Sequence, residues 1–254
     1  MAITRPIVGR NGAMAIDQFD ISTANHEFKA KRDAATIDAT TFGQRFSYDL
    51  AGIQKASIEW KGFYIPGANN YDQVINQRFG QDSDVLAALA PAGWPLFGPV
   101  ILQPSVITKY DLDAKLKGAV ECDVLAMARG AVDDGSILLS PNVPLLTGTN
   151  TSTDPNNPNP GGATTSGFAA QLHVITMAGT SPSLAVKLQG SPDGTTWTDL
   201  TGGGFTTATT LTAQRITQGI GFSVPAYIRA NWTVTGTGGA FTALCGFSRN
   251  VTYS

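Results

Sequence analysis

The sequence predicts a mainly β protein, and three observations carry that expectation. Apolar and polar residues alternate at period two through much of the C-terminal half, Gly and Thr are abundant, and turn signals separate the alternating runs. Charged residues make up only 14% of the 254 positions, where an average soluble domain carries roughly 25%. Low charge with much Gly and Thr suits a β-rich structural protein whose surface is largely occupied by neighbours. Hydrophobic residues reach 42%, so each half can bury a core of its own.

In the C-terminal part the strand faces can be read directly. Ala170, Leu172 and Val174 share one face, as do Leu184, Val186 and Leu188. Ile228, Ala230, Trp232 and Val234 repeat the pattern, followed by Phe241, Ala243, Cys245 and Phe247. Ser191-Pro192-Asp193-Gly194 is a tight turn, because Pro presets φ and Gly accepts φ > 0. Thr195–Leu200 then reads as the returning strand. Short strands with no credible helix predict an Ig-like or jelly-roll-like β-sandwich over 167–254.

The N-terminal part reads as α+β with β dominant. Phe19–Lys31 reads as a kinked strand, and Ile58, Trp60 and Phe63 mark another. Val100–Lys109 and Lys117–Ala128 follow as further strands. Tyr71–Leu89 holds the helical material: Val74, Ile75 and Phe79, then Val85, Leu86 and Leu89, split by Gly80. Between the halves, 147–166 (TGTNTSTDPNNPNPGGATTS) has Ala163 as its one apolar side chain and reads as a solvated linker. The expected organisation is a domain over 1–146, a linker over 147–166 and a second domain over 167–254. Charge divides there too: −3 before residue 151 and +1 after it, for −2 overall.

Several functional classes find no support. No basic block is present to neutralise phosphates, which argues against stable nucleic-acid binding. Cys122 and Cys245 are too few and too far apart for a disulfide framework or a zinc site. The opening MAITRPIVGRNGAMAI is broken by Arg5, Pro6, Arg10 and Asn11 before any apolar run forms, unlike a signal peptide. Val85–Leu102 lacks charge over 18 residues, but Pro91, Pro95 and Pro99 would break a spanning helix, so no membrane span is expected.

Catalytic chemistry fares no better. His26 and His173 sit in strand patterns and read as surface or interface positions, with no G-x-S-x-G elbow in the chain. Asp82, with Ser83, reads as the start of a helix over Val85–Leu89, and Asp133-Asp134-Gly135 as a turn. No calcium-loop or phosphate-loop pattern occurs, and the triplets at Asn150, Asn231 and Asn250 arise easily in a Thr-rich chain. The expectation is no enzyme, with no catalytic residue, metal or cofactor. One aromatic stands apart. Trp197 follows the hairpin turn and is the candidate for stacking on a glycan, whereas Trp232 alternates with core residues.

A resemblance adds to this reading. Asp33–Gly62 carries Asp38-Ala39-Thr40-Thr41-Phe42-Gly43, then Leu50-Ala51-Gly52-Ile53 as a turn, then an amphipathic strand ending in Gly62-Phe63. This stretch resembles the siphophage tail tube (major tail) proteins, and the likeness extends more weakly over most of residues 15–140. Tyr48-Asp49 departs from the family pattern. The C-terminal part is more loosely similar to β-sandwich modules appended to virion proteins, through SPDGTTWTDL and AYIRANWTVTGTGG.

The resemblance implies a β-sandwich or barrel with one short flanking helix, six copies of which close into a ring. Rings stack into a tube that conducts DNA from capsid to host without binding it. Partners would be the chain itself and tail proteins such as tape measure, terminator and baseplate or tip. The site would be the virion tail, after synthesis in the bacterial cytoplasm. By position, Asp33–Ile53 is the hairpin reaching into the adjacent ring. Asp38, Thr40, Thr41, Phe42, Gly43, Leu50, Gly52 and Ile53 are then inter-subunit contacts, and 167–254 decorates the outside. The competing expectation is a virion binding module, for capsid decoration or glycan adhesion through the C-terminal domain.

Overall fold

The computed structural model describes residues 12–39, 49–65, 71–82, 84–114, 118–152 and 162–250. The described chain is mainly β, with one short helix, α1 (Tyr71–Arg78). It divides into two compact units built from interleaved segments. The larger holds the residues up to Thr23, Leu86–Gln103 and Asp133 onward. The smaller holds Ala24–Val85 and Pro104–Val132.

The larger unit begins with β1 (Ala13–Ile16) and β2 (Phe19–Asp20), joined by a tight turn at Asp17. Then come β5 (Val85–Ala90), the first part of β6 (Pro99–Asp113), β8 (Asp133–Leu139), β9 (Leu145–Leu146) and β10 (Gly148–Thr151). The last four are β11 (Phe168–Ser191), β12 (Thr198–Gly204), β13 (Thr212–Gln218) and β14 (Tyr227–Arg249). The sheet runs β12-β11-β14-β8-β6-β5-β1-β2, with β13 also on β11 and β9 and β10 also on β14. Gly148–Thr151 is therefore strand within the range expected as linker, paired with Asn231–Val234, and 153–161 lie outside the described residues.

Two long strands organise this unit. The runs read from sequence as Ala170–Val174 and Leu184–Leu188 belong to one strand, β11, and those around Ile228–Val234 and Phe241–Phe247 belong to β14. They stay paired from Phe168↔Arg249 to Ser191↔Tyr227, with register shifts between Val174 and Ser183. At that break Gly179, Ser181, Gly236 and Gly238 all take positive φ, so both strands bend at one level without parting. Leu172, Val174, Leu184, Leu188, Ile228, Phe241 and Phe247 fill one core. Leu244, Ile137, Leu102, Ala13 and Trp94 fill another.

Val85–Leu89 was expected to be helical and is instead strand β5. All six residues of VLAALA are buried, and β5 lies between β6 and β1. A strand covered on both faces reads as an unbroken apolar run, which the 3.6-residue period also accepts over so few positions. Asp17 fixes its start: Leu86 N donates to Asp17 Oδ1 at 2.9 Å, and Asp17 N donates to the Leu86 carbonyl at 2.8 Å. Asp133-Asp134-Gly135, expected as a turn, lies in β8 against β6 and β14. Asp82 and Asp84 cap no helix; they take Arg129, at 2.9 and 3.4 Å.

The smaller unit is a four-stranded antiparallel ladder. β3 (Asn25–Asp38) pairs with β4 (Asp49–Phe63), β4 with β7 (Glu121–Ala128), and β7 with Ser105–Asp113 of β6. Ile58, Trp60, Ile107, Cys122, Val124 and Ala126 point to its buried face, and Ile75 of α1 is buried as well. Among the described residues no helix is long and apolar enough to cross a membrane.

Candidate assembly surface

The feature of the smaller unit that invites a partner is the β3–β4 hairpin. Its two strands pair over 14 and 15 residues, yet β7 supports β4 only from Ser57 to Phe63. Beyond Lys31 and Ser57 the hairpin is therefore a two-stranded arm. Period-two alternation with Ala and Thr makes these segments extended, and opposite charges face each other across the pair: Glu27–Lys61, Lys29–Glu59 and Asp33–Lys55. Each such cross-strand pair adds about 0.2–1 kcal/mol. β3 pairs with no strand but β4 among the described residues, so its outer edge offers backbone donors and acceptors along its length.

The expected contact residues divide by place. Asp38 lies opposite Asp49 at the far end of the arm, and Leu50 opposite Ile37. The expected turn at Leu50–Ile53 is instead continuous strand. The register shifts there, Ala34↔Gln54 giving way to Thr36↔Ala51, so Gly52 and Ile53 together oppose Ala35 as a bulge. Ile53 is 80% exposed and Ile37 is 55% exposed. Thr40, Thr41, Phe42 and Gly43 fall outside the described residues.

Gly62, at the base of β4, is sterically constrained. A Cβ there would collide with Asn25 Oδ1 and lie 2.5 Å from the Ala24 carbonyl oxygen. Gly62→Ala is expected to cost about 1–3 kcal/mol through forced backbone displacement, read as a lower urea midpoint at unchanged slope.

The solvent face of the ladder is densely charged, and three of its lysines meet carboxylates. Lys109 Nζ lies 2.8 Å from Asp123 and 3.1 Å from Asp111. The hydrogen bond to Asp123, then that to Asp111, raises its pKa above the ordinary lysine value. Lys31 meets Asp33 at 3.0 Å, and Lys61 meets Glu27 at 4.0 Å with Asp123 across the strand on its other side. Among the described residues no three His, Cys, Asp or Glu side chains come together as metal ligands.

In the larger unit Trp197 is half-buried, and the Arg229 guanidinium lies over its ring, 4.2 Å from the centroid. Arg229 Nε donates to Gln189 Oε1 at 2.9 Å, and Gln189 Nε2 donates to Asp199 at 2.8 Å. The ring expected to be open for stacking thus carries a tethered cation on one face. The turn before it forms as expected: amides of Thr196 and Thr195 and the Ser191 hydroxyl donate to Asp193, holding that carboxyl well below the usual range.

Sequence reasoning missed His173. Expected at a surface or interface, it is fully buried, with Nδ1 donating to the Asp17 carbonyl oxygen at 2.6 Å and Nε2 3.2 Å from Gln171 Oε1. Desolvation lowers its pKa to about 4, partly opposed by the Asp17 hydrogen bond. Its partner is 156 positions away, so no local pattern announces it. Cys122 and Cys245 are both buried, and burial pushes the Cys245 thiol up to about 12.

No family model matches the chain, and no curated protein does. Solved structures do resemble it. A chain from the virion of a native gene transfer agent particle aligns at TM-score 0.44 and 18% identity, covering 51% of this chain and 98% of that one. The SPP1 tail tube aligns at TM-score 0.40 and 13% identity, covering 49% of this chain and 77% of that one. SPP1 Dit, described as a paradigm of the hub adsorption apparatus in phages infecting Gram-positive hosts, aligns at 0.37 and 10% identity over 94% of this chain and 99% of its own. These three come from a gene transfer agent virion, a phage tail tube and a phage adsorption hub.

Proposed function

We propose that this chain is a structural subunit of a phage tail tube, with six copies closing into a ring and rings stacking into a channel for DNA. The observation that carries the reading is the ladder β3-β4-β7-β6, ended on one side by a bare 14-residue edge and extended by a two-stranded arm. A long uncovered edge is an aggregation hazard unless a defined partner takes it. Pairing β3 of one copy with the outer part of β6 in the next is a head-to-tail contact, which yields rings if the rotation closes. Six copies and the inter-ring role of the arm come from the resemblance of Asp33–Gly62 to tail tube proteins. Tape measure, terminator and baseplate or tip proteins are the proposed companions at the tube's ends.

The ladder's polarity supports the orientation. Its buried face carries Ile58, Trp60 and Val124, and the opposite face carries the charged residues. On this reading the charged face is turned to the axis, because unpaired luminal cations would grip phosphates and slow a passing DNA. Negative-stain microscopy of the purified protein at high concentration, with and without sheared tail fragments as seeds, tests the proposal. Hollow tubes of uniform width are expected; monomers that persist with seeds would overturn it.

A further inference from the structure

The charged face of the ladder has an unusual economy: lysines are frequent, and Lys31, Lys61 and Lys109 each sit against a carboxylate. Lys109 is held by both Asp123 and Asp111, Lys61 lies between Glu27 and Asp123, and Lys31 touches Asp33. Lys29 and Lys55 stand directly opposite Glu59 and Asp33 in the strand register. Asp123 lies between two lysines, bonded to Lys109 of β6 and directly opposite Lys61 of β4. A bare acidic face would repel a polyanion at the cost of mutual repulsion within each subunit. A bare basic face would hold it, each phosphate contact adding affinity.

We propose that the ladder is a self-neutralised surface built to shed double-stranded DNA, in which Asp123 and Glu27 keep Lys109 and Lys61 from gripping phosphates. This deepens, and for its purpose rests on, the tube reading. The lysines supply cross-strand cohesion to the sheet, while their carboxylate partners withhold them from a passing strand. In a stacked tube the same pairs would recur around every ring, so a single released cation per subunit would become a continuous row of phosphate contacts. Asp123 is the residue with most leverage, because it takes the shorter of the two Lys109 contacts and stands directly across from Lys61.

The test uses the full chain and a fluorescent 20-base-pair duplex titrated by anisotropy at low and physiological salt. Wild type is expected to bind weakly. Asp123→Asn with Glu27→Gln is expected to bind about tenfold more tightly at low salt, with the log–log salt slope steeper by about 1.8 for two added phosphate contacts. Adding Lys109→Gln should return the affinity most of the way. Asp111→Asn, at an exposed strand position, is a gentler second variant expected to shift affinity in the same direction. Binding unchanged within twofold in both carboxamide variants would overturn the proposal, as would tight binding by wild type. Microscopy of the same samples separates the two readings: masked lysines without tubes would sink the conduit and leave the masking standing.

Discussion

Replacing Ile37 and Ile53 together by aspartate is expected to abolish tube formation while leaving the monomer folded. Both side chains are more exposed than buried, so in the isolated chain the change should stay within about 0.5 kcal/mol per site. In a subunit contact each isoleucine contributes about 1.5–3 kcal/mol on burial, and an aspartate there adds desolvation that nothing compensates. Two such sites per copy raise the concentration needed for assembly by at least about a hundredfold. Sedimentation and negative stain read the assembly, and a thermal melt reads the fold. Normal tubes at the wild-type concentration would exclude the arm from the subunit interface.

Acidification is expected to destabilise the larger unit through His173. Its folded-state pKa is about 4, against an ordinary 6.5. The unfolded chain therefore takes up a proton first as pH falls. Stability from this group is whole above pH 6.5 and declines through the window down to about 4. About 2 kcal/mol should be lost by pH 5 and about 3 kcal/mol by pH 4, with the penalty levelling off below that. Urea midpoints at pH 7 and pH 5 measure it. His173→Gln should lower stability at pH 7 but flatten the profile across that window; an unchanged slope would mean the carboxylates account for it instead.

The strand faces were legible because period two is a local property. Leu172, Leu188, Ile228 and Phe247 are all buried where alternation puts them. What joins those strands was not legible. Gly179–Pro182 and Gly236–Gly239 carry turn chemistry, yet here that chemistry makes a shared bend inside two long strands. The interleaving of units was hidden for a related reason: Ile137 pairs with Gly246 through a ladder no short window contains. At the candidate surface, the hairpin register decides which lysine meets which carboxylate, and the alternating charges of β3 and β4 hint at it. Trp197 shows the converse, since its cover, Arg229, comes from β14, where it lies opposite Gln189 of β11.

The two units also differ in when they can exist. β3 and β4 close across one short connection, from Asp38 to Asp49, whereas completing the other sheet requires residues about 110 positions apart to meet, a topology that folds slowly. During synthesis the arm and its bare edge are thus available before β14 has been made. If the lysines are masked as proposed, paired side chains along that edge would weaken early electrostatic capture of nucleic acid while leaving its backbone groups open to pairing.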